Sequence, residues 1–376
     1  MGQAISKLTI KGYKSIRNLE DFKLRNINIL IGPNGGGKSN FVSFFELIRA
    51  VADSQMQVYI GENGGANFLL HFGVQKTQEL KVSFEFNEGV NWDFILSLTK
   101  TNDLVFREES IKCDGSFCSR EDARYVGDGN SNGKSIIDGF LFSVNQQTKG
   151  SLGESIECIR VTIVNWGIYH FHNTGDYALV KYPYSKRDYE YLRSDARNLA
   201  AFLLRIKKKH QRKYTSIREV IQLAAPFFDD FLLREEEDKD DVLLEWRQTN
   251  SDYPFHPSQI SDGTLRFICL AVVLLQPNPP STILLDEPEL GLHPYALTLL
   301  AGLIQKASKR TQVIVSTESA ALIDHFEPED IVVVERQKGE STFNRLNKAD
   351  LKVWLDDYSL GELWQKNVFG GRPARE

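Results

Sequence analysis

The sequence predicts an α/β fold with a mixed/parallel sheet lobe built from both ends of the chain, an antiparallel β subdomain and an inserted helical lobe. Three observations point to it. Ile27–Ile31 is a short run apolar but for Asn28, as expected of a parallel strand buried on both faces; it leads through a glycine-rich loop into Phe41, Phe44, Phe45, Ile48 and Val51 at helical spacing. Residues 80–112 alternate apolar and polar, the pattern of half-buried antiparallel strands. After Ser261 strands and helices alternate again, which returns the chain to a parallel sheet.

In order, Ile5–Ile10 reads as a strand and Lys11–Ser15 as a turn. The helix after the glycine loop runs from Lys38 to about Ala52, and Gly127–Ser135 is a polar, glycine-rich loop. Ile159–Phe171 has strand character, and Asp195–Phe231 reads as helical. That helical stretch holds the basic cluster Lys207–Lys213, and Glu235–Asp241 forms an acidic tip beside it. A helix follows Ser261, then the strand Thr282–Leu285, a helix from Pro294, and the strands Val313–Ser316 and Ile331–Glu335. The expected division is 1–175 and 276–345 for the sheet lobe, 176–275 for the helical lobe and 346–376 for a tail.

Composition narrows the function classes. With 376 residues, 41% hydrophobic and 25% charged, the chain is neither disordered nor collagen-like and can bury a sizeable core. A net charge of −5 argues against coating nucleic acid by bulk charge and leaves only a local basic patch open. Cys113, Cys118, Cys158 and Cys269 form no Cys-x-x-Cys pair, so neither a zinc ribbon nor a disulfide framework is encoded, and a cytoplasmic location is expected. No apolar run approaches the roughly 18 residues needed to span a bilayer, and Lys7, Lys11 and Lys14 interrupt any secretory signal, so no membrane partner is expected. Gly2 and Ser6 match a lipidation pattern that arises often by chance, and the ordinary first strand is the preferred reading.

Two motifs carry the chemistry. Gly32-Pro33-Asn34-Gly35-Gly36-Gly37-Lys38-Ser39 is a complete phosphate loop (Walker A) between a predicted strand and a predicted helix. Its glycines let consecutive N–H groups wrap phosphate oxygens, and the helix N-terminus adds its positive dipole end. Lys38 supplies a point charge to the β- and γ-phosphates, and the Ser39 hydroxyl is expected to ligate Mg²⁺. Ile283-Leu284-Leu285-Asp286-Glu287 is an apolar strand ending in two acids (Walker B); Asp286 is expected to hold Mg²⁺ and Glu287 to orient and polarise the attacking water. Upstream, Ser261-Asp262-Gly263 caps an apolar helix, where hydroxyl, free N–H groups and dipole converge on one point.

Phosphate loop, distant Ser-Asp-Gly cap, acidic strand end, then Glu289-Leu290-Gly291-Leu292-His293-Pro294 is the order of ABC-type ATPases. The chain resembles their SMC/RecF-type branch. More narrowly, it resembles the compact prokaryotic "AAA-family predicted ATPase" group related to the ATPase half of overcoming-lysogenization-defect (OLD) nucleases. Segments Ile10–Ile16, Leu30–Asn40, Tyr169–Thr174, Ile260–Phe267, Leu285–Pro294 and Tyr358–Trp364 carry that likeness. The resemblance implies an ABC-type P-loop ATPase head using ATP and Mg²⁺. It implies that Lys14 and Ser15 lie near the nucleotide held by Asn34–Asn40, and that Ser261, Asp262 and Gly263 reach the γ-phosphate of a second copy in a head-to-head homodimer. It further implies DNA repair or anti-phage defence, with DNA or RNA as a candidate partner and a separate effector (nuclease or toxin). The stretch after Glu335 is shorter than an ordinary domain, so nucleic-acid cleavage is expected to come from that effector. An ATP-binding scaffold with little hydrolysis is the second reading; a transporter subunit fits the first strand and tail less well.

Thr317 and Glu318 occupy the switch position, where many relatives carry histidine or glutamine. A carboxylate there would repel a γ-phosphate unless protonated or turned aside, so the expectation is either slow turnover or a contact made by Thr317 instead. Ala196 stands where glycine is expected in a turn. Gln75, Gln78, Gln146 and Gln147 are equal candidates for the Q-loop glutamine. His170 and His172 share a strand face, but no third metal ligand is near in sequence, and packed or hydrogen-bonded histidines are the preferred reading. The Lys207–Lys213 cluster is either a phosphate-backbone track or the solvated face of a helix. Trp354, Leu355, Leu363 and Trp364 belong either to a docked tail or to an adaptor surface.

Overall fold

A computed structural model of the chain describes residues 3–87, 89–113, 123–126, 135, 137, 151–234 and 240–371. Residues 127–134, Gln146, Gln147 and most of the acidic tip lie outside the described residues. The strands in chain order are β1 (Ile5–Tyr13), β2 (Ile16–Lys23), β3 (Ile27–Ile31), β4 (Glu79–Phe86), β5 (Val90–Leu98), β6 (Leu104–Cys113), β7 (Ala123–Val126) and β8 (Gly167–Tyr169). They continue as β9 (Tyr184–Ser185), β10 (Phe228–Leu232), β11 (Asp241–Val242), β12 (Glu245–Gln248), β13 (Thr282–Asp286), β14 (Gln312–Thr317), β15 (Ile331–Gln337) and β16 (Glu340–Arg345).

One sheet is antiparallel, in the order β2-β1-β4-β5-β6-β7. The other, β16-β15-β3-β14-β13-β8, is parallel except at β16, and it draws strands from both ends of the chain, as expected. The alternation of side chains sorts its strands between two cores. Ile29, Ile31, Ile283, Leu285, Val313 and Val315 join the helix Asp262–Leu275 and the helical region; Leu30, Leu284, Ile314, Val332 and Val334 join the helix Lys38–Ala52 and the antiparallel sheet. Burial on both faces is why the central residues of these strands are mostly apolar.

Two expectations are corrected. Ile159–Val164 is not strand but the end of the helix Ser151–Val164. Its β-branched residues suggest a strand, yet Ile156, Ile159 and Ile163 are buried at helical spacing. Nor is Asp195–Phe231 one helical stretch. Helices Leu199–Lys209 and Gln211–Ala224 meet at His210, and β10 follows. The basic cluster therefore straddles a helix junction. Ala196 takes φ 57°, a left-handed conformation that explains why glycine suits this turn.

The tail packs back on the fold. A capping box, Ser359 with Glu362, starts the helix Leu360–Gln365, whose Leu360 and Leu363 are buried. The Gly361 N–H donates to Asp324 Oδ1 (2.6 Å), and the Gly371 N–H to Glu335 Oε1 (2.7 Å). Among the described residues no helix is long and apolar enough to cross a membrane.

Candidate functional site

In the parallel sheet β14 lies between β3 and β13, with β8 beyond. Their carboxyl ends therefore bring four segments to one edge: the loop 32–37, Thr317–Glu318, Asp286–Glu287 and His170–His172. Ligands of open parallel sheets bind at this edge.

The helix Lys38–Ala52 starts at Gly37 (φ 116°) with no side-chain cap, so its first N–H groups are left for a ligand. A side chain at Gly37 would collide with the Ser341 hydroxyl. Lys38 is 4% exposed; its Nζ donates to Gly32 O (2.8 Å) and Pro33 O (3.1 Å) and pairs with Glu318 Oε1 (2.8 Å). The switch carboxylate thus faces the phosphate-loop lysine. Ser39, Asn34 and Gly35 are exposed at the loop. Ser341 on β16 donates to Gly36 O (2.7 Å) and shares a hydroxyl–hydroxyl hydrogen bond with Ser15 Oγ (2.7 Å), which also accepts from Asn40 Nδ2 (2.7 Å). Lys14 donates to Ser43 Oγ (2.9 Å), one turn after Asn40; burial lowers its pKa, opposed by Glu46.

At the end of β13 Asp286 is half-buried. Its burial favours the neutral acid, but the neighbouring His170 and His172 imidazoles outweigh this and hold it well below the usual carboxylate range. His170 lies 3.7 Å from Asp286 through Nδ1 and 2.9 Å from Glu46 Oε1 through Nε2. Burial opposes its charging, yet the two carboxylates raise it to about 9. Glu287 adopts φ 44°, and its N–H donates to Ser316 O (2.8 Å), tying the ends of β13 and β14 together. Thr317 is fully buried and donates to Glu289 Oε1 (2.5 Å), which also accepts from the Glu318 N–H (2.8 Å). Thr317 is therefore engaged with Glu289 rather than turned to the loop. Burial raises the Glu289 pKa, and Thr317 opposes this.

The residues fit a cation and a phosphate. Asp286 Oδ1 and Ser316 Oγ are buried without a hydrogen-bond partner, beside an uncapped helix start and an enclosed lysine. Ser39 and Asp286 are the oxygen donors that suit Mg²⁺.

The Ser261–Gly263 cap stands apart. Ser261 Oγ accepts from the Thr264 N–H (3.3 Å), and exposed Asp262 pairs with Lys181 (3.2 Å). Among the described residues neither Ser261 nor Asp262 bonds to the phosphate loop of its own chain. Gly263 leaves no room for a side chain, because a Cβ there would strike the Gly291 carbonyl. Arg266, one turn into the helix, donates to Phe171 O (2.7 Å), His172 O (3.0 Å) and Leu290 O.

Sequence reasoning missed the gathering of His170, His172, Asp286 and Glu46, because it depends on strand order. It also missed Ser341, and it named Glu289 only as part of a motif, without its bond to Thr317. Arg266 had a signal: it is a lone cation in an otherwise apolar helix. Gln75 and Gln78 sit in the segment before β4.

A family model described as "AAA domain, putative AbiEii toxin, Type IV TA system" matches residues 27–324. No curated protein matches the chain. Among solved structures, the SmcHead bound to the C-winged helix domain of ScpA is 18% identical, with a TM-score of 0.57, covering 92% of this chain and 99% of that one. The Smc head domain with an extended coiled coil bound to the C-terminal domain of ScpA, derived from Pyrococcus furiosus, is 16% identical, with a TM-score of 0.53, covering 94% and 99%. At such identities the likeness is one of fold. The chain belongs to the AAA-domain family described as putative AbiEii toxin of Type IV TA systems, and its fold is that of an SMC/RecF-type ABC ATPase head.

Proposed function

We propose that the chain is an ATP hydrolase that closes head to head on a second copy, sandwiching ATP and Mg²⁺, and that it serves nucleic-acid-linked repair or anti-phage defence with a separate effector. The observation that carries this reading is that one chain has both a phosphate loop and a Ser261-Asp262-Gly263 helix cap whose side chains bond away from that loop. Gly35, Gly36, Gly37, Lys38 and Asn40 would cradle the triphosphate, with Lys14 and Ser15 alongside; Ser39 and Asp286 would hold Mg²⁺, which neutralises phosphate charge. Glu287 would take the proton of the attacking water.

Trans complementation tests the arrangement. Lys38→Ala and Ser261→Arg should each abolish turnover. Mixing them regenerates one intact composite site in each mixed dimer, so about a quarter of wild-type phosphate release should return if pairing is random. A mixture as inactive as its components would refute the head-to-head reading. Lys213, near Lys306 and Arg310, supports a nucleic-acid link; its burial first, and then these two cations, lower its pKa. Turnover stimulated by added DNA or RNA would bear on that link. The Smc heads were solved with domains of ScpA; we carry over only the expectation of a protein partner.

The Lys38–Glu318 ion pair favours the second reading, an ATP-binding scaffold with little hydrolysis, because an internal carboxylate occupies the lysine that a phosphate must recruit. Glu318→Gln is expected to tighten ATP binding about tenfold, as removal of one partly buried competing charge would. Titration with a fluorescent ATP analogue reads this directly; unchanged or weaker binding would mean that the pair does not compete with phosphate.

A further inference from the structure

Three metal-ligating side chains from two distant parts of the sequence meet at the end of the Walker B strand. His170 Nδ1 lies 3.7 Å and His172 Nε2 3.9 Å from Asp286 Oδ2, and one ligand atom from each residue falls within 4.8 Å of the other two. Donors bound to a single ion at about 2.1 Å stand roughly 3–3.5 Å from one another, so small side-chain movements would close the set. The two imidazoles are stacked with a tilt, their centroids 6.2 Å apart and their planes at 25°.

Two further observations point to a ligand. The outer nitrogen of His170 bonds the Glu46 carboxylate at 2.9 Å, the outer-shell partnership that fixes the ring orientation of metal-binding histidines. Asp286 Oδ1 is buried with no hydrogen-bond partner. The backbone beneath is held as well, since Arg266 binds the carbonyls of Phe171 and His172.

We propose that His170, His172 and Asp286 form a two-nitrogen, one-oxygen site for a divalent transition-metal ion, held before any nucleotide arrives. Imidazole donors suit Fe²⁺, Ni²⁺, Cu²⁺ or Zn²⁺, whereas Mg²⁺ prefers oxygen alone; Mn²⁺, which accepts both donor types though it favours oxygen, serves as the paramagnetic probe. Asp286 is shared with the Mg²⁺ position expected from the sequence, so the proposal concerns which ion this strand end selects. It requires neither ATP turnover nor dimerisation; if it holds, the transition-metal ion takes the Asp286 position assigned above to Mg²⁺, and if it fails, that assignment stands.

The test uses the full chain without nucleotide and Mn²⁺ as probe. Electron paramagnetic resonance should show one Mn²⁺ bound per chain with micromolar affinity. Electron spin echo envelope modulation should show ¹⁴N coupling from imidazole, and roughly a hundredfold excess of Mg²⁺ should leave the ion in place. His172→Ala should weaken Mn²⁺ binding at least about tenfold while the far-ultraviolet circular dichroism stays wild-type. The proposal is overturned if Mn²⁺ binds only when ATP is present, if bound Mn²⁺ shows no nitrogen coupling, if Mg²⁺ displaces it at equal concentration, or if a folded His172→Ala binds it unchanged. Should His172→Ala not fold, the nitrogen coupling in the wild-type chain decides the matter.

Discussion

Glu287→Gln is expected to cut ATP turnover at least about a hundredfold and to accumulate an ATP-bound dimer. Glutamine keeps the size and most of the hydrogen bonding of the side chain but cannot accept a proton from water. Binding should therefore survive while the chemical step stalls, and light scattering should report a doubled mass in ATP but not in ADP. The backbone at this position argues for a role beyond packing. Glu287 sits at φ 44°, where a side chain costs about 1–2 kcal/mol, and its N–H is bonded to Ser316 O at 2.8 Å. A fold indifferent to the carboxylate would relieve that strain with glycine. A Glu287→Gln variant that stays monomeric when saturated with ATP, or that turns over within a few-fold of wild type, would remove Glu287 from the proposed chemistry.

The parts of the site legible in the sequence are those set by neighbours along the chain. The phosphate loop, the acidic end of β13 and the helix cap are each a contiguous run whose chemistry follows from local geometry: glycine conformations, a strand end, a helix start. What sequence could not supply is the lateral order of the strands. Placing β14 between β3 and β13 turns Glu318 toward Lys38, and placing β8 beside β13 delivers His170 and His172 to Asp286. The expectation of packed or hydrogen-bonded histidines agrees with the His170–Glu46 bond, whereas the approach of both rings to Asp286 lies across a strand pairing and leaves no trace along the chain. The misread helix Ser151–Val164 has a related cause. Its isoleucines and valines favour strands in isolation, and only their burial against neighbouring elements selects the helix. The fold class was more robust, because buried parallel strands and an alternating antiparallel region leave distinct patterns however the strands are ordered.

Arg266→Ala is expected to lower stability by about 3 kcal/mol, read as a shift of the urea midpoint. Arg266 is 8% exposed, and its donors are distributed over three places: Phe171 O and His172 O just after β8, Leu290 O in the turn after Asp286–Glu287, and, more weakly, Thr174 Oγ1 at 3.5 Å. Alanine would leave those carbonyls without their donor inside a closed region and open a cavity between the cap helix and the sheet edge. Lysine separates charge from geometry. It keeps the cation but has no planar fork to reach carbonyls on two sides, so Arg266→Lys should recover only part of the loss. If only charge mattered, lysine would restore wild-type stability, and the burial-driven lowering of the Arg266 pKa already argues that charge is a liability at this position. The three contacts also place one residue between the Ser261 cap, the His170–His172 segment and the Asp286–Glu287 strand end. A folded Arg266→Lys should therefore lose ATP turnover out of proportion to its stability, because the cap helix and the sheet edge would no longer be held in one register. Wild-type turnover in a measurably destabilised Arg266→Lys would confine Arg266 to a structural role.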